Sequence, residues 1–184
     1  MRVRDAGQEL ARMLAALVWV VAASAAVLAG LGALPGWIAG EARAVARVRS
    51  VDEAERRLGA RLALPAYFPQ RLAWPPAAVR VAGGRGGSAA IEVAGRDGAP
   101  ALLLLQATEE GGEIAAALLG ERTVVSTRRA AVGSVPATLA AVLVEGRPWE
   151  ELSWQVGGRA VVLRSCGGEE ELFRIAHSVR REGR

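Results

Sequence analysis

The sequence predicts an α+β protein: a single N-terminal transmembrane helix followed by a small, mostly antiparallel sheet domain with a flanking N-terminal and C-terminal helix. Three observations carry this expectation. Residues 13–39 hold no charged side chain. The chain beyond residue 78 breaks into short apolar, β-rich runs separated by glycine turns. Two stretches with helical apolar spacing, one opening at Ser50 and one at Glu169, bracket those runs. The expected division is a cytoplasmic tail (1–12), a transmembrane helix (13–39), a juxtamembrane helix and Pro-rich segment (40–77), and an extracytoplasmic α+β domain (78–184).

The apolar run reads "MLAALVWVVAASAAVLAGLGALPGWIA". A bilayer core of about 30 Å needs about 20 apolar residues in a helix, and this run exceeds that. Pro35 and Gly36 mark its outer end, with Trp37 at the interface that indole rings favour. The run is also longer than the apolar core of a cleaved signal peptide. Small residues at cleavage spacing in Ala42-Arg43-Ala44 and Ala44-Val45-Ala46 keep the secreted alternative open. Arg2, Arg4 and Arg12 precede the span, while Arg43, Arg47 and Arg49 follow it, so the positive-inside count is nearly balanced. The short tail favours a cytoplasmic N-terminus and an outer C-terminal domain. Ala22, Ala26 and Gly30 form a ridge of small residues that permits a weak homodimer through the span, although an Ala-rich chain also produces such spacing by chance.

After the span, "SVDE" at 50–53 has the form of a capping box, and Val51, Ala54, Leu58 and Leu62 share one helical stripe. Leu64-Pro65 is expected to end that helix. "LPAYFPQRLAWPP" then carries four prolines and three aromatics, which reads as an extended segment packed on the domain. Strands follow at 78–82, 88–94 and 100–107, the last two joined by the turn "GRDG". "GGRGG" at 83–87 lacks the G-K-[ST] ending of a phosphate loop and reads as a hairpin loop. A short helix is expected at 113–119, then strands at 123–132 and 135–144. Gly157-Gly158 makes a two-residue hairpin between 149–156 and 159–165. That turn pairs Val156 with Arg159, Trp154 with Val161 and Leu152 with Leu163 on a mostly apolar face. Gln155 with Ala160, Ser153 with Val162 and Glu151 with Arg164 fall on the other face. Glu169, Glu170 and Glu171 open the last helix, where negative charge suits the dipole, and Leu172, Ile175, Ala176 and Val179 form its buried stripe.

"SVDEAERRLGARLALPAYFP", the "LSW" strand and "EEELFRIAHSV" resemble an uncharacterised extracytoplasmic domain of Gram-positive bacteria. In that family an amphipathic helix precedes a "P-x-x-P" segment, strands follow, and the end reads like "E-E-L-x-x-I-A-x-S". Such domains are fused to lipoprotein-carrier-like proteins or encoded near sigma and anti-sigma factors. The resemblance covers about residues 50–180 and implies an extracytoplasmic α+β domain with no known catalysis.

Composition narrows the function classes. The 184 residues carry a net charge of +4, with no Lys, no Asn and Arg as every base except His177. That bias looks like a GC-rich coding background. No long basic run interleaves with aromatics, which argues against nucleic acid. The single cysteine, Cys166, cannot form an internal disulfide, nor a zinc site with the single histidine, His177. A catalytic Cys–His pair needs hydrogen-bond contact, and a helix of about eight residues separates the two by more than ~12 Å. Glu109-Glu110 and Glu169–Glu171 read as solvated helix-start charges rather than as acid/base pairs or cation ligands. The site expectation is therefore no catalytic, cofactor or metal residues, and no enzyme. The chain reads as a membrane-anchored extracytoplasmic interaction or regulatory module for an unknown protein partner, in envelope signalling. The alternative is a lipid- or lipoprotein-handling module, with an apolar concavity lined by Leu102, Leu104, Leu143 or Trp154.

Overall fold

The computed structural model describes residues 45–83, 87–107 and 112–180. The transmembrane helix expected at 13–39, its small-residue ridge, Gly84–Gly86 and the Glu109-Glu110 pair lie outside the described residues. Among the described residues no helix is long and apolar enough to cross a membrane.

The α+β antiparallel sheet domain is present. In chain order its elements are β1 (Val45–Val48), α1 (Val51–Leu58), β2 (Leu64–Pro65), β3 (Ala78–Ala82), β4 (Ser88–Ala94), β5 (Pro100–Ala107), α2 (Gly112–Leu119), β6 (Thr123–Val132), β7 (Val135–Val144), β8 (Arg147–Val156), β9 (Arg159–Ser165), α3 (Glu169–Ser178) and β10 (Val179–Arg180). Eight strands form one sheet in the order β1-β3-β4-β5-β9-β8-β7-β6, and β2 pairs with β10 in a small second sheet. All pairings are antiparallel. The chain thus lays down β3-β4-β5, passes through α2 to the far edge, and returns through β6-β7-β8-β9 until β9 pairs with β5.

The hairpin register expected around Gly157-Gly158 is the observed one, from Val156↔Arg159 to Glu151↔Arg164. Both glycines have positive φ, 55° and 77°, as a two-residue hairpin turn of this hand requires. β8 starts two residues before the expected position, at Arg147.

Strand alternation sends side chains to two faces. On one, Val79, Val81, Ile91, Val93, Leu102, Leu104, Leu152, Trp154, Val161 and Leu163 meet Ala54 and Leu58 of α1 and Leu172, Ile175 and Ala176 of α3. This is the main core, and it is closed. On the other, Ala82, Ala90, Leu103 and Leu105 meet Leu118 of α2, and a separate cluster joins Ala140, Val142 and Trp149. The concavity expected from Leu102, Leu104 and Trp154 is filled by the two helices, while Leu143 lies exposed near the far edge and outside that core.

Two expectations need correction. The first helix ends at Leu58, not at Leu64-Pro65. Gly59 takes the left-handed conformation (φ 64°) and its N–H closes on Glu55 O. Glu55 then accepts from the Leu62 N–H at 2.9 Å and pairs with Arg61, which holds the chain in a turn while Leu62 still reaches the core. The capping box is also half as expected. Glu53 N–H donates to Ser50 Oγ at 3.2 Å, but the Glu53 carboxylate accepts from the N–H of Arg49, not of Ser50. That bond is the main cause holding the Glu53 carboxyl below the ordinary carboxylate range.

Residues 45–77 are woven into the same packing. β1 pairs with β3 as an edge strand. The side chain of Gln106, fully buried at the end of β5, donates to Ala63 O at 2.7 Å and accepts from Ala63 N–H at 2.8 Å, so one amide satisfies both backbone groups of a buried loop residue. The Pro-rich segment docks through the Leu72↔Gly95 bridge and contains a cis Trp74–Pro75 bond.

Candidate binding cleft

Cys166 and His177 are not brought together. Cys166 is exposed at the end of β9, and its polar neighbour is Arg71, with Nη1 3.7 Å from Sγ. His177 is exposed on α3, its Nδ1 2.7 Å from Phe173 O and its ring 6.1 Å from the Phe173 ring. Among the described residues no three His, Cys, Asp or Glu side chains converge in a way that could hold a metal ion.

Of the glutamates that open α3, Glu169 and Glu170 are exposed, as the sequence suggests, while Glu171 is not. Glu169 pairs with Arg128 of β6, and Glu170 pairs with Arg174 one turn on. Glu171, half-buried, accepts from Arg71 through both carboxylate oxygens, with Nε 2.8 Å from Oε2. Arg71 Nη2 also donates to Ser165 Oγ at 3.0 Å. The Glu171 carboxylate holds the Arg71 guanidinium above its ordinary pKa, against the opposing effect of burial. This ion pair crosses the space where Gly167 lacks a side chain: a Cβ there would fall on Glu171 Oε1 and Arg71 Nη2. Gly167 therefore lets the Pro-rich segment be stapled to the β9–α3 junction.

On the sheet face that carries α2, the chain must cross from Leu119 to β6. A buried charge cluster holds that crossing. Glu151 accepts from Arg164 Nε at 2.9 Å and Nη2 at 2.6 Å, its other oxygen lies 3.2 Å from Arg122 Nε, and Arg164 Nη1 donates to Leu119 O at 3.1 Å. The sequence gives the Glu151–Arg164 pairing. It does not give the burial, because the segment that covers the pair arrives from another part of the chain.

Beyond this crossing the face stays open. A cavity of about 580 Å³ lies between the end of α2 and the β7–β8 hairpin, with Leu103, Leu118 and Trp149 as apolar walls and Arg80, Arg147 and Arg164, balanced by Glu92, Glu121 and Glu145, as its charged lining. Arg80 is paired across strands with Glu92. The hairpin turn beside the cavity puts Glu145 at φ 51°, a left-handed conformation that a residue with a Cβ adopts at a cost of about 1–2 kcal/mol. A second cavity of about 450 Å³ shares Pro100, Arg147 and Trp149 with the first and extends to Arg71, Arg96 and Cys166. These residues come from the Pro-rich segment, the β4–β5 turn, β8 and the end of β9. Only Trp149 had a local signal: it alternates with Glu151 and Ser153, and so falls on the face opposite Trp154.

Comparison of the chain with protein-family models, curated proteins and solved structures finds no match to any of them.

Proposed function

We propose that this chain is a membrane-tethered binding module whose sheet domain lies outside the cytoplasm and engages a partner through the open cleft. The observation that carries the reading is the asymmetry of the two sheet faces. One is closed under α1 and α3, while the other keeps a cleft lined by arginines and glutamates in equal number, with Trp149 in its wall. A cleft of this size, with apolar walls and a few charged groups, has the character of a binding site. Cys166 and His177, the two side chains most suited to covalent or acid–base chemistry, have separate neighbours, which favours binding over catalysis. The uncharged run at 13–39 supports the tether, and the resemblance to extracytoplasmic domains of Gram-positive bacteria supports a role in envelope signalling. The lipid-handling alternative loses its expected concavity to the closed core.

The test is protease treatment of intact protoplasts that express the full-length chain. The proposal predicts release of a folded fragment beginning beyond residue 40, with the N-terminus retained in the membrane. Cleavage seen only in inverted vesicles reverses the topology. A mature protein found in the medium replaces the tether with a cleaved signal.

A further inference from the structure

We infer that the corner of the cleft bounded by Arg71, Arg96 and Arg147 is a binding site for an oxyanion group, a phosphate or a carboxylate. The inference names the chemistry recognised in the cleft and rests on its reading as a binding surface. Three guanidinium groups from three separate parts of the chain line one cavity of about 450 Å³. Arg71 is fixed in advance. Its Nε and Nη2 are engaged by Glu171 and Ser165, while among the described residues Nη1 has only the Cys166 sulfur, a weak acceptor, at 3.7 Å. Arg96 and Arg147 are exposed and make no ion pair among the described residues.

Among the described residues the only carboxylate in the lining is Asp97, and its Oδ1 accepts from the Ala99 N–H at 3.1 Å within its own turn. Counting Glu171 behind Arg71 as well, the corner keeps a positive balance. Planar guanidinium groups present paired donors that match the oxygens of carboxylate and phosphate. The volume lies within the range of small-ligand sites, about 300–1,000 Å³. Trp149 supplies a flat apolar wall for whatever carries the anion.

Cys166 is the chain's single cysteine, is exposed and lines the same cavity, so it reports on the charge there. The full-length chain in a non-ionic detergent is alkylated with anionic iodoacetate and with neutral iodoacetamide, folded and in urea. The expected result is an iodoacetate-to-iodoacetamide rate ratio about fivefold higher in the folded chain, the size expected of one or two partly screened charges. Millimolar inorganic phosphate or acetate should slow the iodoacetamide reaction more than chloride does at the same ionic strength. Greater protection by phosphate assigns a phosphoryl group, and greater protection by acetate assigns a carboxylate. Arg96→Gln combined with Arg147→Gln should remove both effects and leave the melting curve unchanged. Each single variant should remove part of them. A rate ratio unchanged by unfolding, protection no greater than that of chloride, or effects that survive in the double variant would overturn the inference. The readout does not depend on topology, so it fails separately from the tether.

Discussion

Replacing Glu151 with Leu tests how the crossing after α2 is held. Glu151 and Arg164 are 6% and 3% exposed, and one Glu151 oxygen takes two donors from Arg164 while the other faces Arg122. Glu151→Leu keeps much of the side-chain volume but leaves the Arg164 guanidinium buried, with the Leu119 carbonyl as its remaining partner. Removing one member of a buried pair costs about 3–5 kcal/mol, a large share of the ~5–15 kcal/mol that stabilises a domain. Arg122 is partly exposed and can turn to water, so it adds little to that cost. Adding Arg164→Met replaces the pair with apolar contacts. It should bring the loss down to about 1–2 kcal/mol, the remainder reflecting a Leu119 carbonyl without its donor. Glu170→Gln, in the exposed pair with Arg174, is the control and should cost under ~0.5 kcal/mol. Urea unfolding of the full-length chain in non-ionic detergent, followed by tryptophan fluorescence, measures all three. If Glu151→Leu costs no more than the control, or if the double variant is less stable than the single, the pair is not buried as described.

The remaining expectations use the same unfolding assay. Trp154→Ala should lose about 3–5 kcal/mol, because the indole sits in the closed core, while half-buried Ser153→Ala on the opposite face should cost little. Gln106→Leu should cost roughly 1–3 kcal/mol for each of the two Ala63 backbone groups it orphans. Cys166→Ser and His177→Ala should each leave stability and cellular phenotype nearly unchanged. Equal and large losses of phenotype from both, without unfolding, would restore a catalytic pair.

Strands whose signal is local were legible in the sequence. The Gly157-Gly158 turn and the alternation of Leu152, Trp154, Val161 and Leu163 specify a register that a one-residue slip would spoil, and the same logic finds β3 to β7. β1 was not legible. Its four residues, Val45-Ala46-Arg47-Val48, sit among arginines a few positions past the apolar run, and only pairing with β3 makes them a strand. β2 and β10 are two residues each and exist only through one another. The end of α1 was misplaced because Leu62 continues the apolar period in sequence, whereas Gly59 and the Glu55 carboxylate turn the chain and deliver Leu62 to the core by another route. The cleft was the least legible part. Arg71, Arg96 and Arg147 are distant in sequence and lie in a chain where arginine is the default base, so no spacing sets them apart. Topology brings them to one corner by pairing β9 with β5 and stapling the Pro-rich segment to the start of α3.

Whether the sheet domain faces outward while tethered can be read at Cys166. Intact protoplasts expressing the full-length chain are treated with a membrane-impermeant maleimide, which can react only at this one exposed thiol. A tethered, outward-facing domain is labelled completely before lysis, and the labelled chain pellets with the membranes. Labelling that requires lysis would contradict the outward orientation, and a labelled chain recovered only from the medium would contradict the tether.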